Sequence, residues 1–147
     1  YNNFPFTPVE NCTLAFVHGT SATMTYRFEE VHYLAPYWKA QDSFGADNHN
    51  FVPYWAKEPP ALQTPDPLVK VSAHVRDNKI LLIIANFNED KTSVSGRIQL
   101  NPEVFNYGNL KARDAFSGNP VSMNGNTLML ENLKCYRQAW IIIEGES

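Results

Sequence analysis

Between residues 69 and 87 the chain changes hydrophobic rhythm once, across a two-residue turn, and that hairpin limits what the rest can fold into. Val69, Val71, Ala73 and Val75 alternate with Lys70, Ser72, His74 and Arg76. Period two is the mark of a strand with one face buried and one wet. Asp77-Asn78 supplies turn chemistry. Ile80 to Phe87 is apolar almost throughout and is strand-sized, so it reads as a strand buried on both faces. The pattern then repeats. Asn88-Glu89-Asp90-Lys91 turns the chain, and Val94, Gly96, Ile98 and Leu100 alternate again. Leu110 to Phe116 makes a weaker strand that ends at the turn Ser117-Gly118-Asn119-Pro120. Asn124-Gly125-Asn126 is the strongest turn signal, set between Val121-Ser122-Met123 and Thr127 to Glu131. Lys134 to Glu144, with Trp140 and three isoleucines, closes the series. Six or seven short strands joined by turns predict a mostly β chain folded as an antiparallel sandwich or barrel.

The residues ahead of this series have another texture. Cys12 to Val17 is a short apolar run, expected to be a buried strand, and it ends at His18-Gly19. Thr20 to Thr23 reads as a loop. A helix follows, with Thr25 as its cap, Glu29 and Glu30 near its start, and Gly45 as its stop. Val31, Leu34, Ala35 and Trp38 define its apolar face. Pro36 is expected to kink it or break it in two. Between the two textures lie four prolines, Pro59, Pro60, Pro65 and Pro67, a spacing suited to a stiff connector. The expected division is a strand-helix segment over 1–56, a proline-rich connector over 57–67 and an antiparallel β-sandwich domain over 68–147.

Composition narrows the function classes. The 147 residues carry 12 Lys plus Arg against 15 Asp plus Glu, a net charge of -3, with no basic run. That argues against a nucleic-acid partner. No apolar stretch approaches the roughly 18 residues that span a bilayer, so no membrane partner is expected. Tyr1-Asn2-Asn3-Phe4 has neither an initiator Met nor a leader pattern, and the chain reads as a piece of something longer. Cys12 and Cys135 fit no zinc spacing. Each is expected in a buried strand as a core thiol, and a bridge between them needs an oxidising compartment. Asn11-Cys12-Thr13 is a formal glycosylation sequon, of weight only in a eukaryotic secretory setting.

The order of these pieces resembles the C-terminal end of certain bacterial glycoside hydrolases, in which a catalytic (β/α)8 barrel is followed by a small antiparallel β-sandwich. Leu14 to Gly19 looks like a last barrel strand, and the helix ending Trp38-Lys39-Ala40-Gln41-Asp42-Ser43-Phe44-Gly45 like the last barrel helix. Phe51-Val52-Pro53-Tyr54-Trp55 looks like the crossing into the sandwich. Ile80 to Asn86 and Lys111-Ala112-Arg113-Asp114-Ala115-Phe116-Ser117-Gly118 look like the sandwich itself. The likeness spans nearly the whole chain, on soft motifs of hydrophobicity and turns. It implies a non-catalytic segment, accessory to a barrel domain that lies upstream, in a secreted or periplasmic enzyme whose partner is carbohydrate. No catalytic residue is carried over, because the barrel strands that hold the acid and the nucleophile in most such enzymes are absent. Two other readings stay open: an independent carbohydrate-binding module, and an immunoglobulin-like interaction domain without sugar chemistry.

Candidate chemistry is sparse. A glycosidase sets two carboxylates roughly 5 to 10 Å apart. Glu29 and Glu30 are neighbours pointing to different sides, and Glu103, Asp114 and Glu131 lie in or beside separate strands. Ser21 sits in a loop without the nucleophile-elbow glycines. His18 falls at the end of the expected barrel strand, the end that carries chemistry in such barrels, and is a candidate for the substrate rim of the parent enzyme. A structural histidine bonding the neighbouring loop is the plainer reading. His32, His49 and His74 are not spaced for a metal. Asp47 to Asn50, Asp77-Asn78 and Asn88 to Asp90 are oxygen-rich, but turn chemistry accounts for them without calcium. No metal or cofactor is expected. Trp38, Tyr54 and Trp55, among many aromatics, suit either stacking on sugar rings or packing between helix and sandwich. An unpaired barrel strand would also leave an open edge that favours self-association.

Overall fold

The computed structural model describes Thr13 and residues 15–19, 28–46 and 50–146, with side chains of the helix from Leu34 onward. Helix α1 spans Phe28–Phe44. Among the described residues ten strands follow: β1 (Phe51–Val52), β2 (Ala61–Gln63), β3 (Val69–Arg76), β4 (Lys79–Asn86), β5 (Ser93–Leu100), β6 (Gly108–Asp114), β7 (Pro120–Val121), β8 (Met123–Asn124), β9 (Thr127–Lys134) and β10 (Gln138–Glu146). They form a six-stranded sheet in the order β1-β3-β4-β10-β6-β7 and a four-stranded sheet in the order β2-β5-β9-β8. Every pairing is antiparallel. The β-sandwich read from the sequence is the fold.

The hairpin that opened the sequence reading holds in register from Val69↔Asn86 to Arg76↔Lys79. Asp77 takes the positive φ of 52° that a two-residue turn requires. The apolar run of β4 has two destinations. Ile80, Leu82 and Ile84 point between the sheets, among Val94, Ile98, Leu128 and Ile143. Leu81, Ile83 and Ala85 point outward, into a second core with Phe16, Val17, Leu34 and Trp140. None of these six β4 side chains is more than 2% exposed. Strand β10 splits likewise: Ile141 and Ile143 face the sandwich, while Trp140 and Ile142 face the helix. The molecule is therefore layered as helix, six-stranded sheet and four-stranded sheet.

Several local expectations are corrected. Thr13 and residues 15–17 are helical, not a strand, and the turn closes through His18 N–H to Ala15 O at 3.2 Å and Gly19 N–H to Phe16 O at 3.1 Å. A short apolar run carries no period that separates strand from helix. Here tertiary contact decides, because Phe16 and Val17 are buried on the sheet's outer face. The open barrel-strand edge falls with that strand. The outermost strands β1, β7, β2 and β8 are only two or three residues long, which leaves little edge to recruit another chain.

Helix α1 runs as one element through Pro36, which is exposed, where a kink or break was expected. Its packed face is Leu34, Tyr37, Trp38, Ala40 and Phe44, while Ala35 is exposed. Leu34 and Trp38 are packed as expected; Tyr37 joins them, reaching Trp140 at 4.9 Å and Phe16 at 5.4 Å between ring centroids, in place of Ala35. Gly45 ends it as expected. At φ 78° it allows Ala46 N–H to reach Gln41 O at 3.0 Å and its own N–H to reach Asp42 O at 3.2 Å, a Schellman closure. Ser72 and His74, expected on a wet face, are 0% and 4% exposed, because residues 17–19 and 50–54 cover that side of β3.

The proline-rich stretch does more than connect. It contributes β2 to the four-stranded sheet, and β1 also precedes the expected boundary at 68. Pro65 lies against β5 so closely that a Cβ on Gly96 would fall 2.5 Å from the proline Cβ, so this position, at φ 151°, needs glycine. Cys135 lies half-buried in the turn between β9 and β10 rather than in a strand. Cys12, Ser21, Thr25 and His49, and the side chains of Glu29, Glu30, Val31 and His32, lie outside the described residues.

Candidate functional site

Three of the four aromatic candidates meet at one place on the surface. His18 and Tyr54 share a hydrogen bond between Nε2 and Oη at 3.0 Å. The Trp55 ring stacks on His18, with centroids 5.5 Å apart and planes at 29°, and meets Tyr54 edge-on at 4.9 Å. Trp55 remains 57% exposed. The fourth candidate, Trp38, goes elsewhere, half-buried against the outer core. In that core Phe16 and Tyr37 pack on Trp140, with the half-open Phe116 at its margin, and the Trp140 indole N–H donates to Gln138 Oε1 at 2.8 Å.

One serine assembles the surface cluster. Ser72 Oγ donates to Val17 O at 2.6 Å and accepts the Tyr54 N–H at 3.1 Å. The residue before His18 and the backbone of Tyr54 thus hang from the same hydroxyl. Ala56 N–H closes the turn that carries Trp55 by reaching Pro53 O at 3.1 Å. Two residues before Ser72 on β3, Lys70 holds its ammonium 5.5 Å from the centre of the Tyr54 ring, a cation–π contact. Tyr54 and Lys70 also line a shallow cleft of ≈ 150 Å³ with Pro59, Thr64, Pro67 and Val71. An exposed indole beside an imidazole and a phenol, the phenol ring itself carrying an ammonium, can hold a ligand that has one apolar face and polar edges.

Three carboxylates serve structure. Asp66 Oδ1 accepts the Leu68 N–H at 2.9 Å, and its Oδ2 accepts Asn88 Nδ2 at 2.8 Å and Lys91 Nζ at 2.9 Å. Those bonds, the Leu68 amide first and then Lys91, hold its pKa down to about 2 against partial desolvation. Glu144 binds Arg113 at 2.5 Å, with Lys79 at 3.7 Å, and its pKa is lowered mainly by the arginine bond. Asp114 Oδ1 caps the next turn by accepting the amides of Phe116 and Ser117 at 2.9 and 2.8 Å. Glu103 and Glu131 are exposed, in the turn after β5 and on β9. Two of the oxygen-rich turns are likewise committed: Asn88 Oδ1 accepts the Asp90 N–H, and Asn78 Nδ2 donates to Gly145 O; Asp47, Asn48 and His49 lie outside the described residues. Among the described residues, no three His, Cys, Asp or Glu side chains gather as metal ligands.

Sequence reasoning passed over Lys70 and Ser72. Both sat on the face of β3 taken as wet, and their partners lie in segments far away along the chain. The only available signal was that Ser72, a small hydroxyl, stands mid-strand between two longer polar side chains.

The wider likenesses agree with this architecture. No curated protein sequence matches the chain. An α-amylase from Geobacillus thermoleovorans, solved with acarbose, superimposes with a TM-score of 0.55 at 13% identity, over 96% of this chain and 34% of that one. An Anoxybacillus α-amylase superimposes with a TM-score of 0.52 at 14% identity, over 84% of this chain and 25% of the enzyme. The chain thus spans between a quarter and about a third of those proteins, and at such identity the likeness shows a shared fold. The family model for the glycoside hydrolase 123 C-terminal domain matches residues 34–112, from the packed face of α1 through β6, more than half of the chain. With its helix laid across an antiparallel sandwich, this chain belongs to the glycoside hydrolase 123 C-terminal domain family.

Proposed function

We propose that the chain is the non-catalytic C-terminal segment of a glycoside hydrolase, where it stabilises the catalytic barrel that the parent enzyme uses on carbohydrate. The carrying observation is the outer core. Leu34 of α1 and Phe16 and Val17 of the preceding helical segment are buried with Leu81, Ile83 and Trp140 of the sheet. Helix α1 and the helical segment ahead of it share a hydrophobic core with the sandwich, so loosening one loosens the other. The structural engagement of Asp66, Asp114 and Glu144 supports the same reading.

The purified chain is expected to release no aglycone from a broad panel of aryl glycosides. Turnover that follows the chain through purification and disappears on replacing one carboxylate overturns the proposal. In the parent enzyme, Trp140→Ala is expected to lower Tm while leaving kcat at low temperature unchanged. A fall in kcat with no change in Tm overturns the stabilising role.

A further inference from the structure

We infer that His18, Tyr54, Trp55 and Lys70 form a docking subsite for an acidic saccharide, with a pyranose ring stacked on Trp55 and a carboxylate or sulfate group on the Lys70 ammonium. The inference rests on the reading that the chain serves a carbohydrate-active enzyme. The indole is presented rather than left over. His18 lies along one side of it and Tyr54 meets it edge-on, so the ring is held in one orientation, yet more than half of Trp55 stays open. A ring already fixed loses little freedom when a sugar settles on it.

Charge gives the class of sugar. Lys91 and Lys79 have carboxylate partners in Asp66 and Glu144, but among the described residues Lys70 forms no ion pair. Its ammonium lies over Tyr54, facing the cleft. Lys57, exposed two residues beyond Trp55, adds positive charge, of which the adjacent Glu58, bonded to the neutral Asn101 Nδ2 at 3.2 Å, offsets one unit and leaves the two lysines in excess. In a chain of net charge -3, a local excess of positive charge beside an open aromatic face complements an anionic sugar.

Affinity electrophoresis of the whole chain through native gels containing polygalacturonate, dextran sulfate or neutral hydroxyethylcellulose tests this. Retardation is expected in the polyuronate or the sulfated gel, and whichever gel retards the chain identifies the acidic group. Trp55→Ala should abolish the retardation, and Lys70→Gln should weaken it about tenfold, both without moving Tm. The proposal is overturned if no gel retards the chain, if the neutral gel retards it equally, or if Trp55→Ala migrates like the wild type. Absent retardation with Trp140→Ala still lowering Tm sinks this inference alone. Retardation together with genuine aryl-glycoside turnover sinks only the non-catalytic reading.

Discussion

The two faces of the six-stranded sheet are built from different chemistry. The inner face meets the second sheet through aliphatic side chains, Val71, Leu82, Ile84, Ile98 and Leu128 among them. The outer face meets helix α1 through rings: Phe16, Tyr37 and Phe116 gathered on Trp140. Sheet against sheet is a regular contact, filled by branched side chains that alternate along each strand. Helix against sheet here is irregular, and a few large aromatic groups bridge the uneven gap. The inner core is therefore written in a local period, while the outer core depends on residues brought from positions 16, 37, 116 and 140.

The sharpest test of that contrast is whether the aromatic layer is a core of equal standing. Trp140→Ala should cost about 3–5 kcal/mol, comparable with the roughly 2–5 kcal/mol expected for Ile98→Ala on the inner side. Urea unfolding followed by far-ultraviolet dichroism should show one transition in both variants. A Trp140→Ala protein that loses helix signal well before strand signal would mean that the outer layer peels away independently, and the two faces would no longer be equivalent parts of one unit.

Legibility followed the same line. β3, β4, β5 and the hairpin turns could be read because a strand's period is complete within a few residues. The helix itself was legible, and so was part of its packed face, Leu34 and Trp38. Ala35 fits the spacing and is exposed, whereas Tyr37 was passed over and is packed, because the rotation of α1 is decided by Trp140 about a hundred residues later. Thr13 and residues 15–17 were misread for want of any period. At the surface site, His18, Tyr54 and Trp55 were each noticeable as residue types. Their meeting was not, since it depends on the Ser72 hydroxyl bonding Val17 and Tyr54 together.

Smaller changes sharpen the comparison further. Phe116 is 43% exposed yet touches both Tyr37 and Trp140, held there by the turn that Asp114 caps. Phe116→Ala should cost about 1 kcal/mol, the value of an aromatic contact with partial burial, and should raise amide exchange in α1 more than in β5. Equal exchange changes in both elements would sink the idea that this turn acts as a clasp on the helix alone.

A further effect is read from how stability depends on pH. Asp66 has its carboxyl held at about 2, below the ordinary value of 3.8, by the Leu68 amide and Lys91. A carboxylate with a lowered folded-state pKa adds stability that is fully present above the unfolded value and fades as pH falls towards the folded one. Its bonds tie the segment between β2 and β3 to the β4–β5 turn, on the aliphatic side of the molecule. Asp66→Asn should therefore be less stable at pH 7 and lose less than the wild type between pH 4 and pH 2, read from urea midpoints. Parallel pH profiles for the two proteins would show that Asp66 carries no such linkage.

The position of β10 has a temporal consequence. It lies between β4 and β6, so the central sheet cannot be joined until residues 138–146 have left the ribosome. Hairpin β3–β4 can form early, because its contacts are local, but its pairing with β10 must wait for more than fifty residues of intervening chain. Trp140 arrives with that strand. Until then, α1 has a partial sheet to lie on and no indole to pack around, and both hydrophobic layers stay incomplete together. A nascent chain stalled before residue 138 would thus display its stickiest surfaces at once, the state most prone to capture by chaperones or by other copies of itself.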